Sequence, residues 1–127
     1  MKDFKIEGTQ SIPEIFGDWE KGVLSISGDS YPENSFELFE PLLQWVEGFL
    51  NQSNCNLKLK LSLLYLNTSS VKIMMDIFDL LEVAHTQGKV VSVIWSYDEE
   101  NERVAELAED FKEDCSFPFD IKSFEAH

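Results

Sequence analysis

The sequence predicts a single α/β domain, spanning residues 1–127, with helices packed on a mixed, largely parallel sheet. Some segments alternate apolar with polar residues, which is typical of strands, whereas in others apolar residues recur every three or four positions, which is typical of helices. These segments follow one another in the order ββαβαβαβ, and strand–helix–strand units form parallel sheets with right-handed crossovers. A chain of 127 residues is also long enough to bury a hydrophobic core.

The first half of the chain opens with a predicted hairpin. Residues 13–17 predict a short edge strand and residues 22–27, GVLSIS, an alternating, half-buried strand, with a turn over residues 18–21 between them. The turn-forming segment GDSYPENS follows. Apolar residues then recur at helical spacing over residues 33–51, which predicts a helix in spite of Pro41 inside it.

The second half of the chain alternates strands with helices. Residues 57–66, LKLKLSLLYL, begin as an alternating strand and end in a continuous apolar run, which predicts a central strand buried more deeply at its far end. A helix over residues 70–86, a buried strand over 89–97, a helix over 98–114 and a short strand over 117–121 complete the chain. In open α/β sheets functional residues concentrate at the carboxyl ends of strands.

Composition and charge exclude several classes of function. The chain has 24 acidic and 10 basic residues, a net charge of -14, whereas nucleic acids and anionic membranes are bound by basic patches. No run approaches the roughly 20 apolar residues that span a bilayer, and the N-terminus lacks the apolar core of a signal peptide. Cys55 and Cys115 lie far apart in the sequence, so we expect two reduced thiols in a cytoplasmic protein.

No catalytic or cofactor-binding motif stands out. Neither GxGxxG nor GxxxxGK[ST] occurs, which removes support for a dinucleotide or P-loop site. Asp76 and Asp79 are three residues apart on a predicted helix, but a solvated helix face explains them better than a metal does. We therefore expect a protein without cofactor, metal or catalytic residues.

The segment NTSS, residues 67–70, joins the central strand to the next helix and is the candidate functional site. A helix N-terminus offers free N–H groups and a positive potential, so a phosphate on one of these hydroxyls would be tolerated. The alternative is that Asn67 or Thr68 only caps the helix. Extrapolating the helix backwards puts Thr68 on its polar side and Ser70 towards an apolar stripe, which favours Thr68 as the accessible hydroxyl.

The helix that follows carries two apolar stripes, although a surface helix needs only one. The first comprises Val71, Met74, Met75, Phe78 and Leu81. The second comprises Ile73, Ile77, Leu80 and Ala84. One stripe can face the sheet, and the other is covered either by a neighbouring helix or by a partner protein. The candidate partner-binding residues are Asn67, Ser69, Ser70, Ile73, Ile77 and Leu80.

Four stretches carry a family resemblance: GTQSIPEIFGDW, GDSYPENSFELF, LLYLNTSSVKIMMDIFDLLEVAH and NERVAELAEDFKEDCSFPF. They resemble the SiaC family of bacterial regulatory phosphoproteins, small domains related in fold to STAS-type anti-sigma-factor antagonists, and the similarity covers nearly the whole chain. The resemblance implies a STAS-like, noncatalytic switch. Its threonine in LNTSS, here Thr68, would be phosphorylated by a cognate serine/threonine kinase with a histidine-kinase-like ATP fold and dephosphorylated by a metal-dependent PP2C-type phosphatase.

The resemblance also implies a target. The unphosphorylated form would bind and activate a diguanylate cyclase, which links the chain to cyclic di-GMP and biofilm formation.

Two other classes of function stay open. A small-ligand-binding α/β domain or enzyme subunit would use the same strand end, but it needs convergent polar groups around a pocket, and the sequence offers few. An acidic decoy would bind a nucleic-acid-binding protein by charge mimicry. Its binding would be lost in high salt and would not respond to phosphorylation of Thr68.

Overall fold

The computed structural model describes residues 3–52 and 55–124, and these form a six-stranded sheet and three helices. The strands are β1 (Phe4–Ile6), β2 (Glu14–Asp18), β3 (Val23–Ser30), β4 (Asn56–Leu66), β5 (Val90–Asp98) and β6 (Phe119–Phe124). The helices are α1 (Ser35–Leu50), α2 (Thr68–Thr86) and α3 (Glu102–Glu113).

The strands lie across the sheet in chain order, β1 to β6. Pairing is antiparallel from β1 to β3 and parallel from β3 to β6, so the predicted mixed, largely parallel sheet is confirmed. Because parallel crossovers are right-handed, strands in chain order place all three helices on one face. The burial of β4 agrees, since Leu57, Leu59 and Leu61 are buried while Lys58 and Lys60 are exposed.

The structure contains one strand that the sequence does not predict, β1 near the N-terminus. β1 pairs with β2, with Phe4 opposite Gly17 and Ile6 opposite Ile15. The sequence does not predict β1, because three residues are too few to show an alternation. Pairing with a neighbouring strand makes this segment a strand.

The far end of β4 is exposed, and the prediction that it is buried more deeply is wrong. Leu64 is 46% exposed and Tyr65 is 49% exposed. The register with β3 shifts here, because Gly28 pairs with Leu63 and Asp29 with Tyr65, which leaves Leu64 as an extra residue. Such bulges redirect side chains, and Gly28 accommodates this one with φ +106, a conformation that side chains disfavour. Leu64 and Tyr65 therefore lie on the surface, while Leu63 stays in the core.

Candidate functional site

The candidate site lies where β4 ends and α2 begins. The backbone N–H of Asn67 donates to the carbonyl oxygen of Ser30 at 2.9 Å, which ties this junction to the end of β3. The side-chain oxygen of Asn67 accepts a hydrogen bond from the backbone N–H of Ser70 at 2.9 Å. Asn67 is therefore the N-cap of α2, and Thr68 is the first residue of the helix.

The three hydroxyls of the segment have different surroundings. Ser70 is 2% exposed and donates to the carbonyl oxygen of Ser30 at 3.0 Å. Ser69 is exposed, but its oxygen lies 2.6 Å from the Ser35 hydroxyl and its proton bonds the Asn67 side chain at 3.1 Å. Thr68 is exposed, and its hydroxyl makes no hydrogen bond to any residue that the structure describes. Among the three hydroxyls, that of Thr68 is therefore the one that is exposed and makes no hydrogen bond to a described residue. This agrees with the helical extrapolation, which favours Thr68 as the accessible hydroxyl.

The second apolar stripe of α2 is covered within the chain. Ile73 and Ile77 are 7% and 1% exposed, and they line a small internal cavity of about 10 Å³ together with Phe39 and Leu42 of α1. The prediction that Ser70, Ile73 and Ile77 contact a partner directly is therefore wrong, because α1 and the sheet already bury them. The other alternative, cover by a neighbouring helix, is the correct one.

The remaining predicted partner-binding residues lie in two places. Asn67 is half-buried and Ser69 is exposed, and both lie at the start of α2. Leu80 is half-buried and lines a separate groove with Leu50 and Val83. Twelve residues along a helix amount to about 18 Å, so Leu80 does not belong to the surface around Thr68.

Exposed apolar side chains lie on the segments that meet at the start of α2, and we call this surface the aromatic patch: Tyr31, Phe36, Leu64 and Tyr65. The rings of Tyr31 and Tyr65 meet edge to face with centroids 5.8 Å apart, although the residues are 43% and 49% exposed. Phe36 is 66% exposed and directly follows Ser35, the partner of Ser69. Exposed apolar clusters mark interaction surfaces. The sequence signal for Leu64 and Tyr65 was the apolar run at the end of β4, which was predicted to be buried.

A cavity of about 430 Å³ opens beside Thr68, between the end of β4 and the start of α3, and it adjoins the aromatic patch. It is lined by Leu64, Tyr65, Leu66, Asn67, Thr68, Asn101, Arg103, Val104 and Leu107. The side-chain amide of Asn101 donates to the carbonyl oxygen of Leu64 at 2.8 Å, and its oxygen accepts the N–H of Val104 at 3.2 Å. Asn101 therefore caps α3 and fastens the start of that helix to the end of β4.

Two titratable groups with shifted pKa values lie towards the other end of α2. The backbone N–H of Ser116 donates to Glu82 at 2.7 Å and lowers the pKa of that carboxyl group. Burial, and then the charge of nearby carboxylates, raises the pKa of the Cys115 thiol to about 11.

Within residues 3–52 and 55–124, no group of three or more His, Cys, Asp and Glu side chains could hold a metal ion. No helix in these ranges is sufficiently long and apolar for a membrane span.

Comparison with known proteins identifies the family. The model of the SiaC family regulatory phosphoproteins matches residues 6–124. An uncharacterized protein of Pseudomonas aeruginosa (strain UCBPP-PA14) is 63% identical over 123 residues, which cover 97% of this chain and 98% of that protein. The crystal structure of apo-SiaC from Pseudomonas aeruginosa is 61% identical with a TM-score of 0.92, over 96% of this chain and 99% of the other.

A second solved structure is that of the diguanylate cyclase SiaD in complex with its activator SiaC from Pseudomonas aeruginosa. Its matching chain is 62% identical with a TM-score of 0.93, over 96% of this chain and 100% of the other. Fold, length and family model agree over almost the whole sequence. This chain belongs to the SiaC family of regulatory phosphoproteins.

Proposed function

We propose that this chain acts in the cytoplasm as a noncatalytic switch whose unphosphorylated form binds and activates a diguanylate cyclase. In this proposal residues 1–127 work as a single domain, and the switch controls cyclic di-GMP and biofilm formation. The support is that SiaC of Pseudomonas aeruginosa, 62% identical to this chain, is the activator of the diguanylate cyclase SiaD and forms a complex with it.

The observation that carries the proposal is that the Thr68 hydroxyl makes no hydrogen bond to a described residue, whereas the hydroxyls of Ser69 and Ser70 do. A kinase must bring the accepting oxygen to its ATP, which an exposed side chain without hydrogen bonds allows. Phosphorylation of Ser70 would break a buried bond to Ser30, and phosphorylation of Ser69 would break its bond to Ser35. Thr68 is therefore the proposed phosphorylation site. The kinase with a histidine-kinase-like ATP fold and the PP2C-type phosphatase are proposed from the family resemblance.

Phosphorylation would change what the site offers to a partner. A phosphate adds a charge of about -1.5 to -2 beside the aromatic patch, which we propose as the surface that contacts the cyclase. If this surface is buried in the complex, the charge must lose its water, at a cost of several kcal/mol. Each 1.4 kcal/mol is a factor of ten in affinity. Phosphorylation should therefore weaken binding at least tenfold.

Two measurements test the proposal. After incubation with the cognate kinase and ATP, peptide mapping by mass spectrometry should find one phosphate, on Thr68, which is absent from Thr68→Ala but present in the matched variant Ser69→Ala. Calorimetry with the purified cyclase should then give the affinities of both forms. Phosphate on another residue contradicts the site, and equal affinities contradict the switch. Binding that vanishes with salt and ignores phosphorylation would favour the acidic decoy instead.

A further inference from the structure

We propose that Arg103 is the receptor for the phosphate on Thr68, so that in the phosphorylated protein its guanidinium group pairs with the phosphothreonine across the cavity that both residues line. The inference rests on the proposed phosphorylation of Thr68. It adds the group that holds the phosphate and assigns a role to the cavity.

The positions of Thr68 and Arg103 favour this pairing. Thr68 starts α2 and Arg103 lies in the first turn of α3, and both line the cavity of about 430 Å³ between the two helix starts. A water molecule occupies about 30 Å³ in the liquid, so the cavity has room for a phosphoryl group without displacement of protein atoms. The hydrogen bond from the Asn101 side chain to the carbonyl oxygen of Leu64 holds the start of α3 next to the end of β4.

The charge around the cavity also favours this pairing. Arg103 is the only arginine of the sequence, in a chain whose net charge is -14. It is the only charged side chain among the described residues that line this cavity, so no carboxylate there opposes an anion. Within residues 3–52 and 55–124, Arg103 also has no ion-pair partner. The guanidinium group is therefore available to an anion that arrives in the cavity.

A guanidinium group and a phosphate also fit each other chemically. A guanidinium group presents parallel N–H donors that match two oxygens of one phosphate, and such charge-assisted, bidentate pairs are among the strongest hydrogen bonds in proteins. A side chain on a helix whose first turn is capped and fastened is also better positioned than one on a loop. Pairing would add a charge-assisted link between the start of α2 and the start of α3.

Lys72 is the rival receptor. It lies four residues after Thr68 on α2, a spacing at which helical side chains are neighbours. Lys72 is exposed, as Arg103 is, but it does not line the cavity, and its ammonium group is a strongly hydrated point charge without the planar fork of arginine. Because Arg103 and Lys72 lie on different helices, substituting each residue separately shows which of them pairs with the phosphate.

The test uses the full chain with phosphothreonine installed at position 68 by genetic encoding or semisynthesis, so that no kinase is required. Titration followed by ³¹P NMR reports the second pKa of the phosphate, which is about 6 without partners. A nearby cation favours the dianion and lowers this pKa. We expect the pKa in Arg103→Gln to be higher than in the wild type by about half a unit or more. Arg103→Lys should fall between them, and the matched control Lys72→Gln should stay near the wild-type value.

Two results overturn the inference. One is an equal phosphate pKa in the wild type and in Arg103→Gln, and the other is an increase in Lys72→Gln that equals or exceeds the increase in Arg103→Gln. Either result leaves the kinase assignment untouched. Conversely, a kinase that fails to phosphorylate Thr68 refutes the proposed function without changing the titration, so the two failures are distinguishable.

Discussion

The hydroxyl oxygens of Ser30 and Ser70 lie 2.7 Å apart in the buried junction between the end of β3 and the first turn of α2. Each residue is 2% exposed, and the Ser70 hydroxyl donates to the Ser30 carbonyl oxygen, with the two oxygens 3.0 Å apart. Asn67 donates its backbone N–H to the same carbonyl oxygen. This serine pair therefore sets the position from which Thr68 is presented.

Ser70→Ala should destabilise the domain. The substitution removes both side-chain bonds and leaves the buried Ser30 hydroxyl without its partner, at a cost of about 1–3 kcal/mol. Ser69→Ala is the matched control, because Ser69 is exposed and water can replace its bonds. Urea denaturation should show a clearly larger loss of unfolding free energy for Ser70→Ala. Similar losses in the two variants would contradict the importance of the buried pair.

Asn67→Ala should cost more stability than Thr68→Ala. Asn67 caps α2, and loss of such a cap typically costs about 0.5–2 kcal/mol. The Thr68 side chain makes no hydrogen bond within the described residues, so its truncation should stay within about 0.5 kcal/mol. Thermal melts of both variants measure this. A Thr68→Ala protein less stable than Asn67→Ala would make Thr68 a structural residue and remove it as a clean nonphosphorylatable variant.

Tyr65→Ser should weaken cyclase binding without unfolding the chain. Aromatic side chains at the centre of an interface often contribute about 2 kcal/mol or more, so at least a tenfold loss of affinity is expected. Phe16→Ser is the control, because Phe16 is 41% exposed on β2. Its neighbours Ile15 and Gly17 are buried on the helix side of the sheet, so Phe16 faces the opposite side. Calorimetry measures the affinity of each variant for the cyclase. Equal effects of the two substitutions would move the interface away from the aromatic patch.

Ile77→Asp should unfold or strongly destabilise the protein. Ile77 is 1% exposed against α1, and an unpaired buried charge costs several kcal/mol out of a typical 5–15 kcal/mol. Val83→Asp is the matched control on the same helix, since Val83 is 55% exposed. Circular dichroism during heating compares them. A cooperative melt of Ile77→Asp at the wild-type temperature would contradict the packing described for α2.

Cys115 should react slowly with alkylating reagents. The thiolate is the reactive form, and a pKa raised to about 11 leaves little thiolate at pH 8. Modification by iodoacetamide, followed by mass spectrometry, should therefore be at least about tenfold slower than that of a free cysteine. The rate should keep rising as the pH approaches 11. A rate at pH 8 equal to that of free cysteine would contradict the raised pKa.

Local patterns determined most of the architecture. Alternation and helical spacing depend on neighbouring residues only, so the sequence predicts β2 to β6, all three helices and the mixed sheet, and it points to the strand-to-helix junction at Thr68. β1 was missed since its three residues show no pattern and become a strand only by pairing with β2.

The tertiary structure decided which residues of the site are available. Ser70 and Ser69 are held by Ser30 and Ser35, 40 and 34 residues away, and no local pattern reveals such partners. The cover of the second stripe by α1 and the approach of Arg103 to Thr68 likewise join distant segments. The exposure of Tyr65 follows from a register shift between β3 and β4. Burial and contact depend on how separate elements pack, and for this reason Leu64 and Tyr65 read as core in the sequence but lie on the surface in the fold.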